Sequence, residues 1–156
     1  MARITVRKQI ALAGILALAV AALAWATPGS AFVITPLVRS TAAVRIDIKT
    51  HPNTLNDVLV QSVVGQPGGY SGWHSHPGVG IVAVRSGVAA VYDGDDPTCT
   101  PKYVSAGEVF TEEPGHVHLV QSVGTVAYEA YATFVLPVGV PVRTDEPNPG
   151  NCSFLP

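Results

Sequence analysis

The chain has 156 residues, 47% hydrophobic and 13% charged, with nine basic and eleven acidic residues and a formal net charge of −2. This weakly acidic balance argues against nucleic acid or an anionic membrane surface as a partner. The length suits one domain with a single sizeable core.

Residues 1–26 read as a cleaved signal peptide. Arg3, Arg7 and Lys8 form a positive start, Ile10 to Ala24 is an unbroken apolar run, and Ala24-Trp25-Ala26 offers small residues for cleavage. The run is shorter than the roughly 20 residues of a bilayer span, so no stable membrane span is expected after cleavage. Neither a twin arginine nor a cysteine near the cleavage site points to another export route or a lipid anchor. Removing the segment leaves six basic residues against all eleven acids. The expected location is secreted or in the cell envelope.

Residues 27–43, with two prolines and no sustained period, read as an N-terminal arm. From residue 44 to 142 the dominant period becomes two, the mark of half-buried strands. Val44, Ile46 and Ile48 alternate with Arg45, Asp47 and Lys49, which predicts a first strand. Further strands are expected at 58–64, 71–76, 81–85, 88–92, 102–105, 109–111, 117–123 and 126–136, separated by Gly-, Pro- and Asp-bearing turns. The loop Asp93-Gly94-Asp95-Asp96-Pro97 lacks the alternating ligands and terminal Glu of a calcium loop and reads as a turn. Residues 143–156 read as an irregular C-terminal tail. No capped 3.6-residue stripe follows the signal segment, so the fold class is all-β, a sandwich or a barrel.

Cys99 and Cys152 are the two cysteines. An even count in an exported chain favours a disulfide, here one that pins the tail. Neither has a second ligand at zinc-site spacing.

The residues with most chemistry are His74 and His76. One residue apart on a strand, they share a face and can grip one ion. Around them Gly68 is followed by five residues, His74-Ser75-His76, three residues, Gly80, six residues and Gly87. Downstream, Gly107, Gly115, His118 and Ser122 hold a second set of spacings, with Pro114 displaced by one position. In both stretches the chain resembles the cupin superfamily, over Gly68 to Ser122. The resemblance implies a double-stranded β-helix, or jelly-roll barrel, with His118 joining His74 and His76 around a metal. Two departures stand out: Gly80 occupies the position of the family's glutamate ligand, and Ser122 that of its asparagine.

His116 lies two residues before His118 and is a further candidate ligand. His51, before a proline, reads as a surface residue, and Trp73 should point to the face opposite His74. Without the glutamate, three neutral imidazoles would leave a divalent ion its full charge and favour anionic or chelating ligands. Glu112, Glu113 and Glu129 are alternative carboxylates among which spacing does not choose. The implied cofactor is one divalent transition metal, Zn, Mn, Cu, Fe or Ni. The implied role is action on a small organic molecule as a dioxygenase, oxidase or isomerase. The alternative is a non-catalytic metal- or small-ligand-binding cupin of the cell envelope. A second copy of the chain is the protein partner the family suggests, as a homodimer.

Overall fold

The computed structural model describes residues 36–43, 45–48 and 55–153. The signal segment, Val44 and His51 lie outside the described residues. Within them there are ten strands and no helix: β1 Thr41–Ala42, β2 Asn56–Gly65, β3 His74–Ser75, β4 Val79–Ser86, β5 Val88–Asp93, β6 Lys102–Ser105, β7 Glu108–Glu112, β8 His118–Val123, β9 Tyr128–Pro137 and β10 Thr144–Asp145.

Two five-stranded sheets result, in the orders β1-β7-β4-β9-β2 and β10-β3-β8-β5-β6. The antiparallel pairings are nested: β2 with β9, β3 with β8, β4 with β7, and β5 with β6. One long hairpin folded over on itself gives this pattern, with alternate arms in alternate sheets. It is the jelly-roll arrangement.

Alternation along the strands determines what the sheets bury. On β9, Tyr128, Ala130, Ala132, Phe134 and Leu136 all lie on the buried face. They pack with Val82 and Val84 of β4, Ala89 of β5, Val104 of β6 and Phe110 of β7. Full burial of a side chain such as Phe134 stabilises the fold by about 1.5–3 kcal/mol. A second cluster, Trp73, Ala90, Tyr92, Leu119 and Cys152, forms on residues that alternate with His74, Ala89, Val91 and His118. Trp73 is therefore buried on the face opposite His74, as its position implies.

This second cluster is closed by the C-terminal tail. Cys152 is bonded to Cys99. Asn151 Nδ2 donates to the carbonyls of Asp93, at 2.9 Å, and Asp96, at 2.7 Å. In the acidic loop, Asp96 accepts from the backbone N–H of Thr98 and Thr100 at 2.9 and 2.8 Å, so its carboxylate caps the turn that carries Cys99.

Three expectations need correction. Residues 45–48 are exposed and belong to no strand; period-two patterning marks a side to bury but does not supply a neighbouring strand. The neighbouring pairing is made instead by β1, within the expected arm, running parallel to β7. The stretch expected as a strand over 71–76 narrows to the two residues of β3, with Tyr70 bridging Gln121 in isolation. The tail is also not wholly irregular, since β10 pairs antiparallel with β3, Asp145 opposite His74.

Candidate metal centre

Backbone register assembles the centre. His74 on β3 lies directly opposite His118 on β8. His76, two residues on, is held where the backbone N–H of Gly115 donates to its carbonyl at 2.7 Å. All three histidines are buried, and one ring nitrogen from each lies within 4.8 Å of the others.

The ring orientations are set by the opposite nitrogens. His74 Nδ1 lies 2.9 Å from the Gly72 carbonyl, His76 Nδ1 2.6 Å from Val142, and His118 Nδ1 3.0 Å from His116. A carbonyl only accepts, so each Nδ1 carries the proton, and in a neutral imidazole each Nε2 then presents a bare lone pair. Carbonyls placed in this way fix the tautomer of metal-binding histidines. Burial, joined by the charges of His118, Arg143 and His76, lowers the His74 pKa to about 4 against the pull of the Gly72 carbonyl. Burial likewise lowers that of His76.

The fourth group comes from the other sheet. Gly80 on β4 pairs with Glu112 on β7, and the Glu112 carboxylate, 8% exposed, reaches the histidines. Its Oε1 is 3.2 Å from His118 Nε2 and its Oε2 is 3.3 Å from His76 Nε2. A Cβ on Gly80 would lie 2.7 Å from Glu112 Oε2 and 2.7 Å from the ring of Phe134. The residue that removes the family's carboxylate from β4 thus makes room for one from β7. Burial opposes ionisation of Glu112, but a hydrogen bond to His118 and the charged forms of His118, His76 and His74 outweigh it and hold its pKa below the ordinary value.

These atoms fit a divalent ion. Two ligands bound at about 2.0–2.1 Å to one metal stand roughly 3.0–3.4 Å apart between right-angled and tetrahedral geometry, and both carboxylate contacts fall in that range. Bare lone pairs facing a carboxylate repel one another unless something positive lies between. A proton at His118 relieves one contact, whereas a cation among the Nε2 atoms relieves them all. Consistent with this, Glu112 Oε2 and His118 Nε2 are buried without a hydrogen-bond partner.

His116 goes elsewhere. Its Nε2 lies 3.2 Å from Asp93 Oδ1 and 3.6 Å from Asp95 Oδ2, in a half-exposed cluster separate from the three histidines. Glu129 pairs with Arg85 on the surface, at 3.5 Å, and Glu113 is exposed. Ser122 is buried, and its Oγ accepts from the Tyr128 N–H at 3.4 Å, so it serves the barrel wall.

His74, His76 and Glu112 line a cavity of about 290 Å³. Val63, Val82, Phe110, Val120, Ala132 and Phe134 make its walls largely apolar, and Gln61, Ser71, Tyr128 and Arg143 add the polar groups.

The motif glycines have a backbone reason for their spacing. Gly68, Gly87, Gly107 and Gly115 all adopt positive φ, between 71° and 88°, where a side chain is strained. Nested jelly-roll pairing, these turns and the three facing histidines occur together. The fold is the cupin double-stranded β-helix.

No family model and no curated protein matches the chain. Solved structures similar to this chain include a conserved protein with a double-stranded β-helix domain from Klebsiella pneumoniae, with 22% identity and a TM-score of 0.48, over 62% of this chain and 88% of that one. A cupin-like protein from Thermotoga maritima shows 23% identity and a TM-score of 0.48, over 58% and 65%. The DMSP lyase DddQ from Ruegeria pomeroyi shows 18% identity and a TM-score of 0.49, over 56% of this chain and 42% of the lyase. At these identities the likeness concerns the fold and transfers no substrate.

Proposed function

We propose that this chain is an exported metal-binding cupin that holds one divalent transition metal on His74, His76, His118 and Glu112 and acts on a small organic molecule in the adjoining cavity. The observation that carries this reading is the tautomer lock. Three Nδ1 atoms spent on backbone carbonyls leave three Nε2 lone pairs converging near a buried carboxylate, an arrangement that suits a cation. A bound divalent ion supplies Lewis-acid polarisation of its ligand. The chain's own part is to orient the imidazoles through Gly72, Val142 and His116, to exclude water with the apolar walls, and to bring the ligand within reach of Gln61, Ser71 and Arg143. The Cys99–Cys152 bridge suits an oxidising compartment, in keeping with export. The carboxylate absent at Gly80 weighed toward a non-catalytic binding role, and the approach of Glu112 to the histidines supports the catalytic reading over it.

The test begins with elemental analysis of the untagged protein purified from the exported fraction. Close to one transition metal per chain is expected, lost in His76→Ala and His118→Ala and bound at least about tenfold more weakly in Glu112→Gln. Folded protein without metal, and without affinity for Zn or Mn on titration, would overturn the reading. Metal-loaded protein is then screened for oxygen uptake and product formation with small organic substrates. Metal without turnover across that screen would favour the binding role.

A further inference from the structure

Arg143 lines the same cavity as His74, His76 and Glu112, within reach of a ligand there but not among the residues that would hold the metal. It is held at two points. Its Nη2 donates to the Ser71 carbonyl at 2.7 Å and its Nε to Asp145 Oδ1 at 2.6 Å. These bonds fix the plane of the guanidinium, while Nη1 has no partner among the described residues. Asp145 is a weak counter-charge, because its side chain is 83% exposed and well solvated.

We propose that the cavity binds a small monocarboxylate with an apolar body, its carboxylate engaging Arg143 and its remainder lying along Val63, Val120, Ala132 and Phe134. This rests on the metal reading for its charge balance. A divalent ion, Glu112 and Arg143 together leave the cavity with excess positive charge inside apolar walls, and one anion lowers that cost. A guanidinium of fixed plane matches the two oxygens of a carboxylate. A phosphate dianion needs more donors than the walls offer, and the volume of about 290 Å³ sits at the small end of ligand pockets.

The probes are benzoate, its neutral isostere benzamide, and inorganic phosphate, titrated calorimetrically into the metal-loaded full chain. Benzoate is expected to bind at least about tenfold more tightly than benzamide, and more tightly than phosphate. In Arg143→Gln that preference should vanish while metal content stays unchanged, and Arg143→Lys, which keeps the charge but not the fork, should recover part of it. Equal binding of benzoate and benzamide by the unmodified protein overturns the proposal without recourse to any variant. Tighter binding of phosphate, or a benzoate preference that survives Arg143→Gln, overturns it too. The two readings fail separately. A preference that survives Arg143→Gln but is lost in metal-stripped protein leaves the metal centre standing and removes Arg143. An Arg143-dependent preference in a chain that binds no metal does the reverse.

Discussion

Gly80 and Glu112 show how far one residue reads from sequence and how far it does not. The three histidines are legible, because their spacing places two on one strand face and the third in motif register. The carboxylate is not, because it depends on which residue of β7 lies opposite Gly80, and cross-strand register is not written in linear spacing. A signal was present all the same. Glu112 is in phase with Phe110, so the alternation puts an acid on the face that buries a phenylalanine. The exchange of position between the two strands is open to test. Gly80→Ala should crowd Glu112 and Phe134, destabilise the fold by about 1–3 kcal/mol and weaken metal binding. The double variant Gly80→Glu with Glu112→Gly should restore more metal affinity than Glu112→Gly alone. Urea unfolding and metal titration check both, and an indifferent Gly80→Ala would show the site to be looser than the contacts require.

Among the elements, β2 and β4 to β9 were legible to within a few residues because each carries its own alternation. The short ones were not. β3 and β10 have two residues each, too few to show a period, and they are defined by their partners, β3 by β8 and β10 and β10 by β3. The pattern over the described residues 45–48 misled for the converse reason, patterned without an observed pairing. The bridge between Cys99 and Cys152, 53 residues apart, closes a long loop that includes β6 to β10. On the chain-entropy estimate such a loop is worth about 4 kcal/mol. Cys99→Ser with Cys152→Ser should therefore lower the unfolding free energy by an amount of that order. The measurement is chemical denaturation of the two proteins, and an unchanged midpoint would show that the tail is held by packing alone.

For the whole molecule, the jelly roll was legible as a class from strand count and turn spacing, while its nested order needed the pairings themselves. Its cavity carries a pH consequence. In the metal-free protein His74 has a pKa of about 4, against 6.5 ordinarily, because burial opposes its charge. Between those values the unfolded chain binds a proton that the folded chain refuses, so stability rises with pH across that window and falls as pH drops through it. His76 acts in the same direction, and Glu112, held below its ordinary value, extends the loss to lower pH. Urea midpoints of chelator-treated protein should be lower at pH 4.5 than at pH 7, and bound metal should shrink the difference. A flat profile would contradict the burial of His74.

The last-made part of the barrel has a further effect. Val142 orients His76, Arg143 ties to Ser71, β10 lies against β3, Glu146 accepts from Ser75 Oγ at 2.7 Å, and Cys152 reaches back to Cys99. Every one of these contacts is made by residues that follow β9 in the chain. The orientation of the His76 ring therefore depends on residues that follow β9 in the chain. On the proposed metal reading, the site is complete only when this stretch has folded back against β3.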